Sequence, residues 1–277
     1  MDLNKTINAD EFPPTIDRLN FVDHISKFLG LAVAQLYLLC ALITCFEVIS
    51  RYVFDSPTQW AFEAVMVLCA SAWMLSAGYI TLHKRHIGIT VIYIMMDKAK
   101  QWYLDLFAYI IGLIALWFFV DDTLVRAIES VMMVERAGTA WNSPQPLLLK
   151  TMLVIGAMVY LAQLLVNLYR HFDSKIVKNI ISGISAFIIF RLILVFFEHA
   201  FELKGVIAIN EHLTAIAAYI EPTRYFDIRD LSIAQASMLI VGLMVLLMMT
   251  GMPLGVVTLF VSILSALFYF GFNGLYL

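Results

Sequence analysis

A chain of 277 residues that is 62% hydrophobic and only 14% charged, with a mean hydropathy of +0.86, departs from the roughly 45–50% apolar, 25% charged make-up of soluble domains. That composition excludes a soluble globular enzyme and a disordered regulator, and a formal net charge of −3 leaves no basic surface for nucleic acid. Cys40, Cys45 and Cys69 lie inside apolar runs, where neither a disulfide framework nor a zinc site is expected. The chain reads as an all-α integral membrane protein with the phospholipid bilayer as its surroundings.

A helix needs about 20 apolar residues to cross the bilayer core. Residues 1–27 are polar, with Asp10, Glu11, Pro13, Pro14 and Asp17, and are expected to form a cytoplasmic N-terminal segment. They lack the basic start and apolar core of a cleavable signal, so the first span is expected to persist as an uncleaved anchor. Uncharged stretches follow at 28–46, 64–82, 106–120, 151–169 and 179–197, the last interrupted by Arg191. The third reaches full length if it starts near Gln101 and holds Asp105 at the headgroups. From 231 to 277 there is no charge at all, which is too long for one crossing. Gly251-Met252-Pro253-Leu254-Gly255 breaks that run, because proline clashes with the preceding turn and glycine relaxes the backbone. Two spans are read there, at about 233–250 and 256–273, for about seven transmembrane helices. The organisation is a segment 1–27, a four-span unit 28–172, a connecting span and periplasmic segment 173–230, and a two-span segment 231–277.

Cytoplasmic loops retain Lys and Arg. With the N-terminus inside, 1–27, 83–105 and 170–178 carry 10 such residues, and the longer segments 47–63, 121–150 and 198–230 carry 7, so a cytoplasmic N-terminus is expected. Segment 89–104 sets Met95, Met96 and Trp102 against Asp97, Lys98 and Lys100, a pattern for a helix lying at the inner interface. Leu124, Ile128, Val131 and Met132 recur at helical spacing, so the third span should continue outward as an amphipathic helix.

The most specific text is Glu47-Val48-Ile49-Ser50-Arg51-Tyr52-Val53-Phe54, then Pro57, Trp60, Glu63 and Trp73, then His86-Ile87-Gly88-Ile89. Glu47 and Arg51 are four apart, a spacing that permits an ion pair, and Glu63 competes for the same Arg. Ser56 reads as an N-cap with Pro57 at the first helical position and Gln59 completing a capping box. Trp60 sits at interfacial depth, Trp73 deep enough to be a packing residue. This cluster resembles the small membrane subunit (DctQ-like) of tripartite ATP-independent periplasmic (TRAP) transporters over about 28–172, where that family has RYVF-x2-P-x2-W-x2-E followed by a tryptophan and an HI step. An acidic residue often follows that step in the family, and here the chain reads Ile89-Thr90-Val91, so no role for an acid is carried over.

The C-terminal pair of spans around Gly251 and Pro253 resembles the opening of the large DctM-like subunit. Because the large subunit of this family begins outside, a fusion needs one additional crossing after the four-span unit, and 179–197 supplies it. Arg191 lies well inside that span; ionisable groups there are functional candidates by default, but Glu198 is seven residues away on about the same face, and an anchor or helix-pairing role is expected.

The resemblance implies a scaffold subunit of a sodium-coupled secondary transporter in the bacterial inner membrane, importing small organic acids. Its partners would be a large DctM-like subunit, which holds the substrate and ion sites, and a periplasmic substrate-binding protein. The chain itself is expected to be no enzyme and to hold no cofactor. Independently, 28–172 lacks the discontinuous helices and converging mid-membrane polar groups that transport requires. Small residues that let helices approach are found at Ala70, Ser71, Ala72, Ser76, Ala77 and Gly78, at Gly156 and Ala157, and at Ser182, Gly183, Ser185 and Ala186. At least one of these faces should contact another span. Two alternatives are a haem-binding redox anchor using His83 or His86, and a self-sufficient small carrier.

Overall fold

A computed structural model describes residues 20–86, 91–201 and 232–270, and all regular structure among them is helical. Helix α1 (Phe21–Tyr52) begins earlier than the first apolar run. The Asn20 amide donates to Asp23 Oδ2 at 2.7 Å, which closes its first turn and draws 21–27 into the helix. Helix α2 (Ala61–Leu82) starts later than the capping signal at Ser56 implies. Asp55 takes a left-handed conformation (φ 49°), and Ser50 Oγ donates to the Ser56 carbonyl at 2.6 Å, so Ser56 and Pro57 belong to a loop.

The interfacial helix anticipated over 89–104 is divided. A short α3 (Val91–Met95) ends at Met96, and Asp97 in extended conformation opens α4 (Lys98–Met132). Gln101 Nε2 donates to the Tyr93 and Met96 carbonyls at 2.9 and 3.0 Å, satisfying acceptors that the broken helix leaves open. At 35 residues, α4 is about 52 Å long against a hydrocarbon core of about 30 Å. The expected amphipathic continuation is therefore one unbroken helix. Helices α5 (Gln145–His171), α6 (Lys175–Phe201), α7 (Ile233–Met249) and α8 (Leu254–Phe270) complete the described chain.

Five helices, α1, α2, α4, α5 and α6, are long and apolar enough to cross a membrane. The last two are apolar but have 17 residues each, about 25 Å of rise. Their break falls where the sequence places it. Gly251 has φ +86° and lies against the Tyr93 ring, which a Cβ would meet at 3.2 Å. The Pro253 carbonyl then accepts from Val256 and Val257 N–H at 3.0 and 3.1 Å, the first bonds of α8.

The packing runs α1 on α2, α2 on α5, α5 on α4, and α4 on both α6 and α8. α5 is central, with Leu161, Leu164 and Leu165 buried against Leu116 and Val120 of α4 and Ile188 of α6. Met252, Val256, Val257 and Val261 form a second core with Ile111 and Leu247. Two small-residue faces perform the expected task. A Cβ on Gly156 would collide with the Met74 carbonyl oxygen, so the two backbones touch there, and one on Gly78 would meet the Val159 side chain at 2.5 Å. The α6 face does not, since Gly183 has nothing within 4 Å of a Cβ.

Candidate functional site

Polar contacts gather at the two ends of the bundle. Where α1 begins and α2 and α5 finish, Asp23 and Gln163 are wholly buried. Asp23 accepts from both terminal nitrogens of Arg170, with Nη1 at 3.1 Å from Oδ1, and from Gln163 Nε2 at 2.9 Å. Ser26 Oγ donates to Gln163 Oε1 at 2.8 Å, and Asn167 Nδ2 to the Thr81 carbonyl at 3.0 Å. One network thus ties α1, α2 and α5. A buried carboxylate is tolerated when it is ion-paired and its remaining lone pairs are occupied, and Asp23 meets both conditions. None of these residues stands out in the motif reading. The available signal was Gln163 and Asn167, two amides four apart inside an otherwise apolar span.

At the opposite end, three carboxylates each pin a loop. Glu47 accepts from Arg51 Nη2 at 2.5 Å, so the ion pair permitted by their spacing is formed. Its other oxygen takes the Thr58 amide at 3.2 Å and the Thr58 hydroxyl, fastening the loop 53–60. Glu63 does not compete for Arg51. It is buried and accepts from the hydroxyls of Thr139 and Ser143, because the loop after α4 folds over the start of α2. Glu135 accepts from Ser130 Oγ at 2.6 Å and Lys150 Nζ at 2.5 Å, and these bonds hold its carboxyl below the usual carboxylate range. The loops 53–60 and 133–144 are therefore pre-ordered by charge-assisted bonds, a condition that lowers the entropic cost of binding a partner.

The remaining motif residues divide. Trp60 is 38% exposed and stacks on Phe46 at 6.1 Å, whereas Trp73 is 77% exposed. Trp73 is therefore no packing residue within this chain, whereas its neighbours Ala72 and Leu75 are buried with Val33 of α1. His86 folds back from the end of α2. Its Nε2 hydrogen-bonds Thr81 Oγ1 at 2.7 Å and its ring stacks on Tyr160 at 5.2 Å. Burial pushes its pKa down to about 4, so it is a neutral hydrogen-bonding group. Ile87, Gly88 and Ile89 of the motif lie outside the described residues. His83 Nδ1 bonds the Tyr79 carbonyl at 2.9 Å, and among the described residues no three His, Cys, Asp or Glu side chains converge as a metal-binding group. Arg191 faces Asp121 of α4 at 3.9 Å, a cross-helix partner, where the sequence suggested Glu198. Gly251 and Pro253 make the α7–α8 break against Tyr93, whose hydroxyl donates to Asp105 Oδ2 at 3.2 Å.

Residues 40–174 match the family described as tripartite ATP-independent periplasmic transporters, DctQ component. The match covers just under half of the chain and takes in α2 to α5 whole, with the C-terminal part of α1, Cys40–Tyr52, that carries Glu47 and Arg51. The region is thus similar to a small membrane component of a transporter. No curated protein and no solved structure matches the chain.

Proposed function

We propose that this chain is the small, scaffolding membrane subunit of a TRAP-type transporter in a bacterial inner membrane. One observation carries the reading. The stretch similar to the DctQ component coincides with a bundle whose described polar side chains bond to one another at its two ends rather than converging at its centre. Asp23, Gln163 and Arg170 brace one end, and Glu47, Glu63 and Glu135 brace the other. Transport requires discontinuous helices and converging polar groups at mid-membrane, and α1, α2, α4 and α5 are continuous.

In this reading the end bearing Asp23 and Arg170 is cytoplasmic, and the pre-ordered loops 53–60 and 133–144 are the periplasmic landing surface for a substrate-binding protein. A large DctM-like subunit holds the substrate and sodium sites for small organic acids. Helices α7 and α8, interrupted at Gly251 and Pro253, belong to the opening of such a subunit, joined through α6, which makes seven spans in all. The experiment is reconstitution into proteoliposomes with and without a DctM-like partner and its binding protein. Uptake is expected only with all components and a sodium gradient. Uptake by this chain alone, or a solute or cation held among α1, α2, α4 and α5, overturns the scaffold role.

A further inference from the structure

A further polar feature lies between α4 and α6, on the part of α4 that leads to Ser130 and Glu135. Helices α4 and α6 enclose a cavity of about 360 Å³ lined by four carboxylates, Asp121, Asp122, Glu129 and Glu198, by two guanidiniums, Arg126 and Arg191, and by the His199 imidazole. The volume lies within the roughly 300–1,000 Å³ of small-ligand sites. Its lining alternates in sign: Arg126 Nε donates to Asp122 at 2.9 Å, and Arg191 lies 3.9 Å from Asp121. Asp121 Oδ1 is buried and has no hydrogen-bond donor. A simple anion entering this space meets a surplus of carboxylates, and a simple cation meets two guanidiniums. A zwitterion satisfies both.

The depth of the cavity and its surroundings identify which zwitterion. Asp121 and Arg191 stand one helical turn beyond Trp117 and Phe187, which stack across the α4–α6 contact with centroids 6.4 Å apart and planes 13° apart. Ile114 and Phe118 of α4, and Phe187 and Phe190 of α6, are exposed apolar residues on the turns below. Asp121 is also the first charge after the apolar stretch 106–120. A molecule whose polar head fills the cavity therefore has a lipid-facing aromatic surface immediately beneath it for hydrocarbon.

We propose that this cavity binds the headgroup of an aminophospholipid of the phosphatidylethanolamine type. The ammonium is held by Asp121, Glu129 and Glu198, the phosphodiester by guanidinium N–H groups of Arg126 and Arg191, and the acyl chains lie over Trp117 and Phe187. A primary ammonium offers three N–H donors to carboxylates. A choline head offers none, and a glycerol head offers no cation. Each guanidinium has five N–H donors, so contact with a carboxylate and with a phosphate is compatible at one arginine.

Native mass spectrometry of the full chain, carried in detergent with phosphatidylethanolamine, phosphatidylcholine and phosphatidylglycerol of identical acyl chains, tests this. Retained phosphatidylethanolamine should exceed each of the others by about tenfold, or ~1.4 kcal/mol. Retention should also fall stepwise as the amine is methylated once, twice and three times, a measurement on the unaltered protein that needs no variant. The double substitution Glu129→Gln, Glu198→Gln should bring phosphatidylethanolamine down to the phosphatidylcholine level and raise phosphatidylglycerol. Equal retention of all three lipids overturns the proposal, as does an unchanged preference in a folded double variant. Displacement of the lipid by millimolar water-soluble phosphoethanolamine assigns the cavity to a free zwitterion instead and overturns the lipid assignment.

Discussion

At Gly156 the backbone of α5 lies so close to α2 that a methyl group would collide with the Met74 carbonyl oxygen. A backbone atom cannot rotate away as a side chain does, so Gly156→Ala should lower the thermal midpoint of the detergent-purified protein, at an overpacking cost of about 1–3 kcal/mol. Gly183→Ala, with nothing near its Cβ, should not lower the midpoint, since alanine is the better helix former. Equal effects of the two would show that the α2–α5 approach is not as close as described. His86 makes a pH prediction. Its folded pKa, pushed down to about 4 by burial, lies below its unfolded value of about 6.5. The unfolded chain therefore binds the proton first. Stability present above about pH 6.5 should decline as pH falls toward 4 and level off below. His86→Gln should flatten that part of the midpoint-versus-pH curve, and an unaltered slope would remove His86 as its source.

At the scale of elements, the break between α7 and α8 is the clearest case of local chemistry needing a tertiary partner. Proline and glycine stop the helix anywhere, but the positive φ of Gly251 and the Tyr93 ring against its α-carbon join the break to α3 and, through Tyr93 and Asp105, to α4. Gly251→Val introduces a β-branched residue where φ is +86°, a region such residues scarcely adopt. It should undock the α7–α8 pair, which would be seen as faster amide hydrogen exchange over 254–261; unchanged exchange there would refute the clasp. The existence of the helices was legible in sequence because lipid forces every spanning backbone group into an intrahelical bond and every span into an apolar run. Their ends were less so. α1 starts at Phe21 because Asp23 closes its first turn on the Asn20 amide and because Asp23 and Ser26 find Gln163 on α5, 140 positions away for Asp23, a distance that no local pattern spans. The helix expected over 89–104 is two because Asp97 opens α4 and Gln101 turns back to cap α3.

Taken as a whole, the molecule is a bundle stiffened at both ends, with a loop surface at one of them built before any partner arrives. If that surface receives a binding protein, Glu63→Gln should weaken the association several-fold. It removes the charge that orders Thr139 and Ser143 and leaves the lipid-embedded contacts intact. Surface plasmon resonance on the purified complex checks this, and unchanged affinity in a folded variant would move the landing surface elsewhere. Glu47 and Arg51 pair as their spacing permits. For Glu63, Arg191 and Trp73 the partner was not readable, because spacing along one helix says nothing of what a neighbouring helix or loop presents.

By itself the amino-acid sequence determined that the chain is helical and lipid-embedded, roughly where each apolar helix runs, where the last run breaks, and which transporter component residues 40–174 resemble. Those properties follow from local composition and from the absence of competing hydrogen-bond partners in hydrocarbon. Only the tertiary structure decided which buried carboxylate meets which donor, which small-residue face carries a helix contact, and that Asp121 and Arg191 share one cavity. Those outcomes depend on the rotation of each helix about its own axis, which in lipid is set by close packing and satisfied polar groups rather than by hydrophobicity, since every face of such a helix is apolar enough to face the bilayer.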